Sequence, residues 1–96
     1  MKILDTNILI YAAEEPYKKI LASYVTNPAN GVSSISQVEA LGFWKITPEQ
    51  IKWFNSIFTV LRVFPVDGSV IEIAISIRQK ANVRLGDALI AATCLN

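Results

Sequence analysis

The chain has 96 residues, which is enough for one domain with a single hydrophobic core but not for two. Although 52% of the residues are hydrophobic, no apolar run approaches the roughly 20 residues that span a bilayer, and Asp5 lies where a signal peptide needs apolar residues. With no histidine and one cysteine, the chain lacks the residues for His-based catalysis, an internal disulfide or a Cys/His zinc site. Its net charge of +1 does not by itself indicate a nucleic-acid-binding protein. We therefore expect a cytoplasmic protein with no membrane partner, whose chemistry rests on its acids.

In chain order, apolar patterns and the turn residues beside them predict strands that alternate with helices. The strands are predicted at residues 3–5, 32–35 and 60–66, and the helices at residues 8–13, 16–25, 36–44, 48–58, 68–81 and 86–95. This alternation implies parallel strands joined by right-handed crossovers, with helices on both faces of the sheet. The predicted fold class is α/β. The last helix is apolar throughout, so we expect it to be buried on more than one side.

Four of the predicted helices begin with a capping signal. The signals are the pair Thr6-Asn7, Ser36 followed by Glu39, Thr47 followed by Pro48, and Asp67. The spacing of Ser36 and Glu39 is that of a capping box, in which each side chain satisfies a backbone N–H group of the other residue. Because this structural role would account for Glu39 by itself, the spacing leaves open whether Glu39 has a chemical role.

Three acids lie where the predicted strands end and the helices begin. Asp5 ends the first strand, Glu39 is predicted in the first turn of the helix after the second strand, and Asp87 in the first turn of the last helix. Ligands of open α/β sheets bind outside the carboxyl ends of the strands, so the three carboxylates can face one crevice. There they would repel one another unless a cation neutralised them, and oxygen ligands favour Mg²⁺ or Mn²⁺. Such an ion supports hydrolysis of a phosphodiester.

Other candidate residues have structural explanations. Asp87 would also interact favourably with the helix dipole, which leaves a purely structural role open for it. Cys94 lies in an apolar run and is expected to pack in the core. Trp44 and Trp53 could stack on nucleic-acid bases, but packing in the core or at an interface is the expected use of both. Asp67 precedes Gly68 and is expected only to cap a helix.

Three segments, MKILDTNILIYA, VSSISQVEALGF and RLGDALIAATCL, resemble the PIN-domain family in order and spacing, and in particular the VapC-like toxin ribonucleases of bacterial toxin-antitoxin pairs. The resemblance implies a PIN-like (Rossmann-like) fold in which Asp5, Glu39 and Asp87 are the catalytic acids and the ligands of Mg²⁺ or Mn²⁺. It also implies that Thr6 lends its hydroxyl or amide beside Asp5, while Asn7 braces the loop. The implied partners are an RNA substrate and a cognate antitoxin, a segment of which would occupy the crevice.

Family members usually continue past the Asp87 helix into a further strand beside the first, which bears another acid, whereas this chain stops at Asn96. We therefore expect a single domain, residues 1–96, that lacks the last strands, has a three-carboxylate site of reduced metal affinity, and self-associates through its uncovered first strand or last helix. The alternative is a catalytically impaired remnant that binds a protein or a second copy of itself. A phosphatase with Asp5 as nucleophile is disfavoured, because haloacid-dehalogenase-like phosphatases carry a second aspartate where this chain has Asn7.

Overall fold

The computed structural model describes residues 1–96 and contains three strands and six helices in the predicted alternation. In chain order the elements are β1 (Ile3–Leu4), α1 (Thr6–Ala12), α2 (Tyr17–Val25), β2 (Gly31–Ser33), α3 (Ser34–Leu41), α4 (Pro48–Val60), β3 (Arg62–Phe64), α5 (Gly68–Lys80) and α6 (Leu85–Leu95). The strands are shorter than predicted, partly because α3 takes up residues 34 and 35 and α4 takes up residue 60, while residues 65 and 66 lie in the connection to α5. No helix is both long enough and apolar enough to cross a membrane.

The three strands form one parallel sheet in the order β1-β2-β3. Ile3 is paired with Gly31 across β1 and β2, and Val32 with Val63 across β2 and β3. The predicted α/β class with parallel strands is therefore confirmed. In this order β1 has a neighbouring strand on one side only, so it is an edge of the sheet.

Gly31 permits the close approach of β2 and β3. A Cβ atom added to it would lie 2.5 Å from Cε2 of Phe64 and 2.9 Å from the carbonyl oxygen of Arg62. Both distances are shorter than ordinary van der Waals contact, and the second involves backbone that cannot move aside without disturbing the sheet. A larger residue at this position would therefore separate the two strands.

Two separate hydrophobic clusters show that helices cover both faces of the sheet. The larger cluster lies among β1, β2 and helices α1 to α4, and its buried members are Leu4, Leu9, Ala12, Val25, Val32, Ala40, Phe54, Ile57, Phe58 and Leu61. The smaller cluster lies between α5 and α6, and its buried members are Val70, Ala74, Ala88, Leu89 and Ala92. The predicted arrangement of helices on both faces is confirmed, with α6 packed against β1 and β2 from the second face.

Two of the four predicted capping signals are confirmed. Thr47 caps α4 in a capping box with Gln50, in which each side chain accepts the backbone N–H group of the other residue at 3.2 Å and 3.0 Å. Pro48 occupies the first helical position, where a missing N–H group costs nothing. Asp67 accepts the N–H group of Val70 at 3.0 Å and caps α5.

The other two capping predictions are wrong, because both helices begin earlier in the chain than the apolar pattern suggests. Asp5, not Thr6 or Asn7, caps α1. The cap of α3 is Ser33, whose side chain accepts the N–H group of Ile35 at 3.2 Å. Residues 36 and 39 are therefore both inside α3, and the capping box predicted between them does not exist.

The predictions for Cys94 and Trp44 need correction, whereas those for the last helix and Trp53 are confirmed. Cys94 is exposed rather than packed in the core, because it lies with Leu95 on the side of α6 that faces solvent. The predicted burial of α6 on more than one side is confirmed, because this helix packs against α5 as well as against α3, β1 and β2. Trp44 is 83% exposed, so it does not pack in the core. Trp53 is half-buried and packs against the larger cluster, edge-on to Phe54 at a centroid distance of 5.2 Å.

Candidate active site

A polar cleft of about 270 Å³ opens beside the carboxyl end of β1. Its lining residues are Asp5, Thr6, Asn7, Ile10, Glu39, Arg84, Gly86, Asp87 and Ile90. The cleft therefore brings together all three acids and the threonine that the sequence singled out. They come from three places in the fold, namely the β1–α1 junction, α3, and the first turn of α6.

Asp5 caps α1 with one carboxylate oxygen and leaves the other oxygen free to face the cleft. Its backbone is extended, and its Oδ1 atom accepts the N–H group of Ile8 at 3.2 Å, which satisfies one of the free donors at the start of α1. The side chain is nonetheless exposed to the cleft. The Oδ2 atom takes no part in the cap, so Asp5 can hold the helix start and present an oxygen to the cleft at the same time.

Glu39 is oriented by a short chain of hydrogen bonds from α1 and α3. The Thr6 hydroxyl donates to Oε1 of Glu39 at 2.6 Å, a distance typical of a hydrogen bond to a charged oxygen. A hydroxyl has one proton to give, so in the 2.9 Å contact between the hydroxyls of Thr6 and Ser36 the serine must be the donor. Both hydroxyls are buried. The direction is thus fixed from Ser36 through Thr6 to Glu39.

Ser36 is a site residue that the sequence reasoning placed in the wrong role. It was expected to cap a helix, but it is fully buried in α3, one turn before Glu39, and orients that residue through Thr6. Residues three apart on a helix lie on the same face, so the spacing in the sequence was sufficient to place Ser36 beside Glu39. The contact through Thr6 could not be predicted, because it depends on how α1 packs against α3.

Gly86 explains how α6 comes so close to Glu39. A Cβ atom at this position would collide with Oε2 of the Glu39 carboxylate. With no side chain at residue 86, the first turn of α6 lies directly against α3, and Asp87 follows immediately. Asp87 is exposed and lies where the dipole of α6 favours a negative charge. The sequence marked Gly86 only as part of a helix start, because a close tertiary approach leaves no local signal.

The donor atoms around the cleft fit a hard cation in type, since carboxylate and hydroxyl oxygens are the ligands that Mg²⁺ and Mn²⁺ prefer. The collision that a Cβ at Gly86 would cause shows a cradle shaped around the Glu39 carboxylate. As the side chains stand, however, no group of three or more acids, cysteines or histidines is close enough to hold one ion. Asp87 lines the same cleft but takes no part in the hydrogen bonds that hold Asp5 and Glu39.

An apolar groove of about 240 Å³ adjoins the cleft and shares Ile10 and Glu39 with it. The remaining lining residues are Ala13, Glu14, Ala40, Phe43, Ile46, Gln50 and Phe54. Phe43 is 53% exposed, which is high for a residue of this size. The acidic cleft and the apolar groove are therefore neighbours, with Ile10 of α1 and Glu39 of α3 at their common border.

The fold and the cleft define an α/β domain with a carboxylate-lined site at the end of a parallel sheet. The family model of the PIN domain matches residues 2–96, so the chain belongs to the PIN domain family. A chain of a toxin-antitoxin complex from Klebsiella pneumoniae is similar in structure, with 25% identity and a TM-score of 0.80 over 99% of this chain and 78% of that one. A search of curated protein sequences gives no significant match.

Two further structures share the fold. VapBC2 from Rickettsia felis, bound to a DNA fragment from its promoter, has 20% identity and a TM-score of 0.72, and the match covers 95% of this chain and 77% of that chain. FitAcB from Neisseria gonorrhoeae has 21% identity and a TM-score of 0.71, and the match covers 97% and 79% of the two chains. At these identities the likeness concerns the fold alone. It confirms the PIN-like, Rossmann-like architecture.

Proposed function

We propose that this PIN domain is a divalent-metal-dependent endoribonuclease of the toxin-antitoxin (VapC) type, which hydrolyses phosphodiester bonds of RNA. One observation carries the proposal, namely that Asp5, Glu39 and Asp87 line a single polar cleft although they come from three separate parts of the chain. Gathering three carboxylates is unfavourable for stability alone, because like charges repel. A site that gathers them is better explained by a cation and the chemistry it supports.

Asp5, Glu39 and Asp87 would hold Mg²⁺ or Mn²⁺, with Thr6 beside them. When bound, such an ion lowers the pKa of a water molecule and offsets the charge that develops on a phosphodiester during in-line displacement. The protein's own contribution is orientation. Thr6 holds one oxygen of Glu39, and the cap at Ile8 holds one oxygen of Asp5. Each of these acids therefore keeps its second oxygen free for the cleft.

A cognate antitoxin is the proposed protein partner. The support is the structural similarity to a chain of a toxin-antitoxin complex at 25% identity, together with the groove beside the cleft. Phe43 and Ile10 line that groove and are exposed, and exposed apolar surface beside a polar site is typical of a place where a partner binds. A segment laid along the groove would reach Glu39 and obstruct the cleft.

A second candidate function is that of a catalytically impaired PIN domain that binds a protein or a second copy of itself. The observation in its favour is that no three acidic side chains converge closely enough to hold an ion. Metal affinity separates the two candidates, because the nuclease needs the ion and the binding module does not.

The test is calorimetric titration of the chain with Mn²⁺, coupled to cleavage of single-stranded RNA. We expect Mn²⁺ uptake by the parent protein, and a loss of at least about tenfold in affinity for Asp87→Asn, equivalent to about 1.4 kcal/mol. Asp67→Asn is the matched control, since it removes one carboxylate outside the cleft and asparagine caps a helix as well as aspartate does. If the parent and Asp87→Asn take up Mn²⁺ identically at millimolar concentration, the metal site is refuted.

A further inference from the structure

Arg84 is the one basic residue among those that line the acidic cleft. It lies in the connection between α5 and α6, at the N-cap of α6 and three residues before Asp87. Its side chain is exposed. A lone guanidinium among three carboxylates has two explanations. It can neutralise the acids, or it can bind an anionic group that enters the cleft.

The hydrogen bonds of the cleft argue against neutralisation. The oxygens of Asp5 and Glu39 that have partners are held by the backbone of Ile8 and the hydroxyl of Thr6, not by Arg84. An arginine that served to neutralise a carboxylate would be expected to engage it through two parallel N–H···O bonds. The guanidinium of Arg84 is thus available to another anion.

The start of α6 adds positive potential at the same place. Its N-cap residue, Arg84, supplies no side-chain hydrogen bond to the first turn, so the N–H groups of that turn are not capped from within the chain. These groups and the helix dipole favour an anion. Arg84 supplies the full charge, and its planar fork matches two oxygens of one phosphate.

We propose that Arg84 is a positioning residue that binds a backbone phosphate of single-stranded RNA beside the bond to be cleaved. The inference rests on the proposed function, because it takes RNA as the substrate. Three carboxylates repel an incoming polyanion, and one cation at the rim offsets part of that repulsion while setting the register of the strand. Its place three residues before Asp87 puts the held phosphate at the edge of the carboxylate cluster.

The test compares RNA binding by Asp5→Asn with binding by the double variant Asp5→Asn/Arg84→Met. Asparagine still caps α1, and the lost carboxylate prevents cleavage during the measurement. The probe is a fluorescent single-stranded oligoribonucleotide of about ten nucleotides, within the range of known single-strand sites. Arg78→Met in the same background is the matched control, because Arg78 is exposed on α5 and lines a different surface depression.

We expect Arg84→Met to weaken binding about five- to tenfold and to reduce the slope of log Kd against log salt by about 0.7, the value for one phosphate contact on a single strand. Arg84→Lys, which keeps the charge but not the fork, should recover part of the affinity. Equal effects of Arg84→Met and Arg78→Met would overturn the proposal. The proposal would also be overturned if Asp5→Asn bound no RNA. Unchanged RNA binding together with tighter Mn²⁺ uptake by the single variant Arg84→Met would overturn it as well, because it would show that Arg84 neutralises the acids.

The same set of measurements separates this proposal from the nuclease. If the parent chain takes up no Mn²⁺ and cleaves no RNA, the proposed enzymatic function fails. A selective effect of Arg84→Met on RNA binding would still stand in that case, because it is measured in a protein that cannot cleave. Melting curves of each variant confirm that the exposed substitutions leave the fold intact.

Discussion

Thr6 and Ser36 give the Glu39 carboxylate one preferred orientation in the cleft. The hydrogen bond from Thr6 to Oε1 is short and its donor is buried, so it favours one orientation of the carboxylate although the Glu39 side chain is exposed. Because Glu39 is exposed, solvent screens the charge, and the net contribution of this bond is about 0.5 to 1.5 kcal/mol, which is enough to favour one rotamer. Glu39 therefore combines a structural contact with an oxygen that faces Gly86 and the start of α6.

The variant Glu39→Gln separates the structural contact of Glu39 from its charge. The amide oxygen of glutamine can still accept the Thr6 hydroxyl, so the free energy of unfolding should change by no more than about 0.5 kcal/mol, as for a surface substitution. Mn²⁺ affinity should fall, because the ligand loses its negative charge. Chemical denaturation and calorimetry measure the two quantities. A clear loss of stability with unchanged Mn²⁺ affinity would assign Glu39 a structural role only.

At the residue scale, the sequence predicted which acids line one cleft but not which side chains orient them. Asp5, Glu39 and Asp87 could be assigned to one crevice because the ends of parallel strands share one edge of the sheet. The partners of Glu39 could not be found in this way. The bond from Thr6 joins residues 33 positions apart in the chain, and only the packing of α1 against α3 brings them together.

At the scale of elements, Gly86 allows the start of α6 to pack closely against α3. Glycine in the first turn of a helix is normally a disadvantage of up to about 1 kcal/mol relative to alanine. Glycine is nevertheless required at residue 86, because a Cβ atom there would collide with the Glu39 carboxylate. The contact between α3 and α6 thus depends on Gly86, and so does the distance between Glu39 and Asp87.

The variant Gly86→Ala should leave the fold intact but disturb the site. The atom in the way is the end of a flexible side chain, so Glu39 can turn aside. Turning weakens its hydrogen bond from Thr6, and the helix propensity gained by α6 offsets that loss. We expect an unchanged or slightly raised melting temperature together with weaker Mn²⁺ uptake. Gly68→Ala is the control, because Gly68 opens α5 with nothing within 4 Å of an added Cβ. Equal Mn²⁺ affinities for the two variants would contradict the proposed cradle.

The order of the elements was predictable from the sequence, whereas several of their boundaries were not. Caps such as Thr47 and Asp67 were recognisable because cap and first turn are neighbours in sequence. The start of α3 was missed because Ser33 and Ser36 offer the same local chemistry, and tertiary packing decides between them. In the structure Ser33 is extended, with φ −75° and ψ 146°, and ends β2, which makes it the cap.

At the scale of the whole molecule, the sheet has two unpaired edges, β1 and β3, and the β1 edge adjoins the cleft. Only β2 lies beside β1, so the outer side of β1 presents backbone groups to solvent, and such an edge is a template for pairing with another chain. A mostly apolar depression of about 460 Å³ runs beside it. Its lining residues are Lys2, Ile3, Leu4, Asp5, Ile8, Leu21 and Tyr24.

The exposed side of α6 offers a second surface of the same kind. Leu95 is 71% exposed at the end of this helix, and Cys94 beside it is exposed as well. Exposed apolar residues that lie close together on a soluble monomer usually mark an interaction surface.

We predict that the 96-residue chain forms a homodimer or a larger assembly in solution, with β1 or α6 at the interface. Two-fold pairing would cover the same surface on both copies, which is the commonest arrangement of homo-oligomers. Light scattering at micromolar concentration measures the mass, and Leu95→Glu tests the α6 surface, because a buried unpaired charge at an interface is costly. Dissociation by Leu95→Glu would place α6 at the interface. An assembly that stays intact would exclude the α6 surface and leave the β1 edge as the remaining predicted interface. A stable, well-folded parent monomer at 10.6 kDa would refute the prediction and show that the chain tolerates its open edge.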